Sequence, residues 1–179
     1  APRVADSLTA THASEADSLR HALGAVLEGI AFYELAQVVS ADTRVKVTFE
    51  DLGRRKAAQL AKLEALVGAQ AKDSALYPSL YPLEAVSRAE CYVCGYIVET
   101  KSMPNQCPKC GTARYTFEKE IALTKAWEIA AETSRKSADL FRESAGASHG
   151  RTRALLEELG KEDQALAAEA GKELAELRS

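Results

Sequence analysis

Two pairs of cysteines, Cys91-Tyr-Val-Cys94 and Cys107-Pro-Lys-Cys110, are the residues of this chain best placed to do chemistry, and they are all the cysteines in its 179 residues. Two residues between thiols let both sulfurs of a pair reach one ion. Gly95 and Gly111 follow the second cysteine of each pair, and glycine tolerates the positive φ that turns backbone N–H groups toward sulfur. Pro104 and Pro108 stiffen the second knuckle. The pattern predicts one tetrahedral S4 site. That geometry suits Zn²⁺ or iron, and ligand count alone leaves both open: a structural zinc knuckle or a redox centre. Tight pairs of this kind read as metal ligands before they read as disulfides. Reduced thiolates fit a reducing compartment, so the expected location is the cytoplasm.

The elements around this site divide by composition. Residues 14–70 are rich in Ala, Leu, Glu, Lys and Arg without Pro, and residues 119–178 repeat that character. Residues 71–118 hold four of the five prolines, every cysteine and five of the six tyrosines. The first region carries a stripe at Leu19, Leu23, Val26, Ile30, Tyr33 and Gln37, stepping as a helix seam does. After a break at Ser40-Ala-Asp42, where Asp42 or Ser40 can cap, a second stripe runs Val45, Phe49, Leu52, Lys56, Gln59, Leu63 and Leu66 to an end near Gly68. The last region has stripes at Leu123, Ala126, Ala130, Thr133, Ser137 and Leu140, then, beyond a loop over 144–150, at Leu156, Leu159, Asp163, Leu166, Ala170 and Leu174. Four helices of about 25 residues, each roughly 37 Å long, predict a four-helix bundle. Short loops make hairpins of 14–70 and 119–178. The long 71–118 connection is a crossover, expected if helices two and three run parallel.

Composition also excludes some classes. A net charge of −3 with mixed signs gives no pull toward nucleic acid or acidic membranes. No apolar run is expected to reach the roughly 18–20 residues of a membrane span, and residues 1–18 lack the apolar core of a signal peptide. No phosphate loop or nucleophile elbow is visible.

Cys-Gly-Tyr-Ile at 94–97, the Pro-containing spacer and Cys-Pro-Lys-Cys-Gly at 107–111 resemble the small rubredoxin-like module of the rubrerythrins over about residues 88–118. The helical stripes are similar to the ferritin-like bundle of the same family. The resemblance implies an all-α ferritin-like four-helix bundle with a rubredoxin-like β-ribbon module. It implies one iron held by Cys91, Cys94, Cys107 and Cys110, passing single electrons in peroxide or oxygen defence. Family members commonly carry the module at a chain end, whereas here it falls between helices two and three. A redox partner protein is implied, and a homodimer is expected.

A rubrerythrin-like bundle holds two irons through inward carboxylates and Glu-x-x-His motifs. No Glu-x-x-His or Asp-x-x-His occurs here; the three histidines, His12, His21 and His149, follow Thr9, Ser18 and Gly146 by three. In register with the stripes, the bundle centre holds Val26, Lys56, Gln59, Ala130, Thr133, Asp163 and Leu166 instead. The expectation is therefore no di-iron centre, with Lys56 supplying the positive charge, Asp163 pairing with it, and Gln59 and Thr133 adding hydrogen bonds. The opposing reading has Lys56 extending outward along its apolar stem. A slip in register would bring in Glu28, Glu128, Glu132 and Glu162.

Three functions follow as alternatives: a one-electron carrier with an Fe(Cys)4 centre, a non-enzymatic scaffold with structural zinc, or a peroxidase whose di-iron site uses the slipped acids. Among lesser features, His12 with Glu15 is expected ahead of the first helix. Trp127, Phe141 and Tyr33 read as packing residues, Tyr77–Pro82 as a stiff linker, and Arg54, Arg55, Lys161 and Glu162 as a solvated face.

Overall fold

The computed structural model describes residues 4–113 and 117–179, with side chains from Glu15 onward. Its elements are α1 (Val4–Val39), α2 (Thr43–Val67), β1 (Arg88–Cys91), β2 (Ile97–Glu99), β3 (Phe117–Glu120), α3 (Leu123–Gly146) and α4 (Gly150–Arg178). The protein is mostly helical, with one small sheet in the long connection. Helix α1 starts earlier than the stripe suggests and includes the His12–Glu15 stretch expected to precede it; the His12 side chain lies outside the described residues. The α3–α4 turn is also shorter than the small-residue run, because α3 continues to Gly146.

Local chemistry sets the helix ends. Asp42 caps α2 by accepting from Arg44 N at 2.8 Å, and the Arg44 side chain beside it helps hold its carboxyl below the ordinary value. Gly68 ends α2 at φ +89° and donates to Glu64 O.

Two apolar clusters fix the helix directions. One unites Tyr33 and Ala36 late in α1 with Val45, Phe49 and Leu52 early in α2, Ala126, Trp127, Ile129 and Ala130 early in α3, and Leu166, Ala170 and Leu174 late in α4. The other unites Ala22, Leu23 and Val26 with Leu63, Phe141, Ala145, Leu156 and Leu159, from the opposite ends of the same helices. So α1 opposes α2, α3 opposes α4, and α2 runs parallel to α3. The connection from Gly68 to Ala122 must therefore travel the length of the helical body.

The first part of that connection is a strap on α1. Leu76 N donates to Arg20 O at 3.1 Å, and Glu28 accepts from Ser79 N at 2.7 Å and Leu80 N at 3.1 Å. At Gly24 the strap lies so close that a Cβ would stand 1.8 Å from the Leu76 carbonyl oxygen. Tyr81 then turns inward, its ring edge-on to Tyr33 at 5.6 Å and its hydroxyl over Gly29, where a Cβ would stand 2.6 Å away. Beyond the strap, β1 pairs antiparallel with β2 and β3 in the order β2-β1-β3, with Cys91 opposite Phe117.

One expectation fails. Glu15–Val39 of α1 is long and apolar enough to cross a membrane, with mean hydropathy 1.4 over its best window. Its apolar residues are spread around the helix rather than confined to the seam, and 44% of that window is buried in the protein.

Gly24→Ala is expected to lift the strap. Denaturant unfolding should show a loss of about 1–3 kcal/mol, with faster amide exchange at Leu76. Gly171→Ala, on α4 with open space around it, should instead gain up to about 1 kcal/mol. Equal effects at the two sites would contradict the close approach.

Candidate metal centre and the polar core

The two cysteine knuckles repeat one backbone pattern. Gly95 N donates to Cys91 O at 2.8 Å and Gly111 N to Cys107 O at 2.9 Å; Cys91 N donates to Tyr96 O and Cys107 N to Thr112 O, both at 2.9 Å. Both glycines take positive φ, +76° and +78°, where a side chain would strain the backbone. The β1–β2 turn carries the first knuckle. The Gln106–Ala113 bridge closes the second.

This brings the four sulfurs within 4.8 Å of one another, with Cys91 Sγ 3.8 Å from Cys110 Sγ and Cys94 Sγ 3.7 Å from Cys107 Sγ. A tetrahedral ion with metal–sulfur bonds of about 2.3 Å requires sulfur–sulfur edges of about 3.8 Å. The four thiols therefore fit a tetrahedral metal, and all are free of disulfides. The first cysteine of each knuckle is buried, Cys94 is half-buried and Cys110 is exposed, so the site has one face toward solvent.

Charge makes the same point. The Thr112 hydroxyl, 3.4 Å from Cys91 Sγ and 3.2 Å from Cys110 Sγ, pulls the Cys91 thiol down to about 6 and lowers Cys110 as well. The Tyr96 backbone N–H favours the Cys94 thiolate, yet desolvation and the three neighbouring sulfurs push that thiol up to about 12. Four thiols this close cannot all ionise unaided; a bound cation would take the place of their protons. Among the described residues, this is the group of His, Cys, Asp and Glu side chains arranged to hold a metal. Sequence reasoning missed Thr112.

A second polar constellation lies between the two apolar clusters. Lys56 and Asp163 are both 2% exposed at the side chain. Lys56 Nζ donates to Asp163 Oδ1 at 3.0 Å, Asp163 Oδ2 at 2.9 Å and Gln59 Oε1 at 3.0 Å. Those three acceptors match the three protons of an ammonium. Gln59 Nε2 donates to Asp163 Oδ1 at 2.9 Å, closing the network. The snorkelling geometry is absent, since the Lys56 head points inward. Thr133 is buried but stays outside the network: it donates to Ile129 O at 2.7 Å and lies 3.5 Å from the Tyr33 hydroxyl. Val26, Ala130 and Leu166 are buried in the two apolar clusters.

Two phenols complete this layer. Burial pushes Tyr33 up to about 12 and raises Tyr81 well above its ordinary value, so both stay protonated. Tyr81 lies in irregular chain, where stripe analysis has no period to follow; its only sequence signal is the Tyr-Pro dipeptide.

The acids that a register slip would bring in have other partners. Glu28 holds the strap. Glu128 pairs with Lys125 and Arg178, Glu132 with Lys136, and Glu162 with Lys62. Arg55 is less solvated than its sequence setting suggests, forking onto Glu169 of α4 at 2.6 and 2.9 Å.

Residues 90–118 match the family model described as rubrerythrin, rubredoxin-like domain. No curated protein matches the chain. Among solved structures, the chain is similar to a conserved hypothetical protein, rv2844, from Mycobacterium tuberculosis. The two share 14% identity and a TM-score of 0.54, over 92% of this chain and 93% of that one. At that identity the likeness concerns the fold alone.

Asp163→Leu should cost about 3–5 kcal/mol in denaturant unfolding, because it leaves a buried ammonium without its counter-ion. Adding Lys56→Met should restore most of that loss. Similar losses in the single and double variants would remove the pair from the account of stability.

Proposed function

We propose that this is a rubrerythrin-like redox protein that carries one electron at a time through an Fe(Cys)4 centre. The observation that carries the reading is the tetrahedral set of sulfurs inside the stretch matched by the rubredoxin-like family model. Cys91, Cys94, Cys107 and Cys110 would hold the iron, which supplies a ferric–ferrous couple needing no change of ligands. The chain's own contribution is electrostatic and geometric. Thr112 and the knuckle backbone stabilise sulfur charge. Cys91 and Cys107 anchor the site inside the module, while Cys110 and Cys94 bring its edge to solvent, where an electron-transfer partner protein can approach.

The same reading takes the helical body as a ferritin-like bundle whose di-iron site has been replaced. The parallel α2 and α3 support it, as does the Lys56–Asp163–Gln59 network in the middle layer. An ammonium there supplies one positive charge where hard metal ions would need several carboxylates. Glu28, Glu128, Glu132 and Glu162 sit in surface pairs or on the strap, which favours a carrier over a peroxidase. A site of four thiolates suits a reducing compartment, and the reading takes that compartment to be the cytoplasm.

Metal analysis of protein from iron-supplied cells should give about one iron per chain. Its visible absorption should bleach on reduction and return in air. Colourless protein with one zinc would make the module structural and the protein a scaffold. About three metals per chain would restore a di-iron enzyme.

A further inference from the structure

We propose that the cleft between α3 and the strap, bordered by the metal module, binds a small organic carboxylate whose far end carries a hydrogen-bond acceptor. The cleft holds about 340 Å³, near the lower end of ligand pockets, which run from about 300 to 1,000 Å³. One face of α3, from Lys125 through Ile129 and Thr133 to Lys136, forms its wall. The strap residues Ser79–Pro82 and Lys101, just beyond β2, complete it. Val86 and Ile129, both buried, give it an apolar side.

An unmet donor marks the inner end. The Tyr81 hydroxyl is buried and has no hydrogen-bond partner among the described residues. It lines the cleft together with Thr133, which is 2% exposed, so the cleft reaches the buried layer. Thr133 Oγ1 already gives its proton to Ile129 O at 2.7 Å. Tyr81 keeps its proton, and a buried donor left unmet is costly. A ligand carbonyl would meet it.

Charge marks the mouth. Three carboxylates border the cleft, and each is matched. Glu84 pairs with Lys119 at 3.0 Å, Glu132 with Lys136 at 3.0 Å, and Glu128 with both Arg178 at 2.7 Å and Lys125 at 3.3 Å. Lys101 has no ion pair among the described residues, and Lys125 shares its carboxylate with Arg178. The surplus is positive, so the ligand group that complements it is an anion. An inorganic anion would satisfy the lysines and leave Tyr81 unmet. A carboxylate joined to its acceptor by an apolar body also uses Ile129 and Val86.

The test is isothermal titration of the full metal-loaded chain with para-acetylbenzoate, which carries a carboxylate and a carbonyl at opposite ends of a ring. Saturable binding at one site per chain is expected. Para-ethylbenzoate, without the carbonyl, and methyl para-acetylbenzoate, without the charge, should each bind at least about fivefold more weakly. Tyr81→Phe should abolish the preference for acetyl over ethyl, with helix and metal content unchanged. Lys101→Gln should weaken both carboxylates about threefold and spare the ester. No binding up to about 10 mM overturns the proposal, as does an acetyl preference that survives Tyr81→Phe. Should Tyr81→Phe lose helix, Lys101→Gln carries the test, and unchanged affinity for para-acetylbenzoate then overturns the proposal. None of these outcomes depends on which metal the sulfurs hold.

Discussion

The ammonium of Lys56 between the carboxylate of Asp163 and the amide of Gln59 is the interaction around which the helical body is arranged. It joins α2 to α4 in the layer that separates two apolar clusters. Apolar packing has little directional preference, whereas a buried charge can be satisfied only where its partners stand. Rotating or sliding α2 against α4 would strip the ammonium of its acceptors. The pair therefore contributes less to net stability than to the choice of register, a role attested for other buried polar groups. Gly29 follows from the same arrangement: it leaves room for both the Lys56 stem and the Tyr81 hydroxyl.

The module is held by different physics and is tied to the helices at few points. Its core is Ala89, Cys91, Cys107 and Phe117, too little apolar surface for independent stability without a metal. Ser87 joins it to α3: its N–H donates to Glu120 O, and its hydroxyl accepts from Ala122 N. Glu84 ties strap to sheet, accepting from Met103 N and pairing with Lys119 at 3.0 Å. These contacts place the sulfurs on the connection that spans the helical body, while Cys110 keeps the outer edge accessible.

What could be read in the sequence depended on period and spacing. Cysteine pairs followed by glycine announce their geometry, because the φ +76° and +78° turns require glycine. Helix stripes announced the core positions, including the polar ones: Lys56, Gln59 and Asp163 sit in step with Leu52, Leu63, Leu159 and Leu166, and burial follows that step whatever the side chain. Irregular chain has no such rule. The strap's hold on Gly24, the Glu28 clamp and the inward turn of Tyr81 come from contacts between segments far apart in sequence, 51 residues for Glu28 and Ser79, and nothing local encodes them. The α1 start was missed because its first turns, from Val4, precede the seam that begins at Leu19. Thr112 was missed because a single hydroxyl after a glycine has no distinctive pattern.

The two polar constellations bear on each other through charge. Were a cation to enter the middle layer beside Lys56, it would face an ammonium already sharing the nearest carboxylate. At an effective dielectric of 20, two unit charges 4 Å apart repel by about 4 kcal/mol, and a divalent ion by about twice that. The network thus disfavours a metal ion in this layer by repulsion, and Tyr81 fills space beside it. On the proposed reading, an electron held at the sulfur site then has no metal acceptor within the helices, and both phenols stay protonated. On the same reading, electron entry and exit both use the solvent-facing edge at Cys94 and Cys110. On that reading the protein exchanges electrons with partners at a single surface and does not consume them inside its own fold.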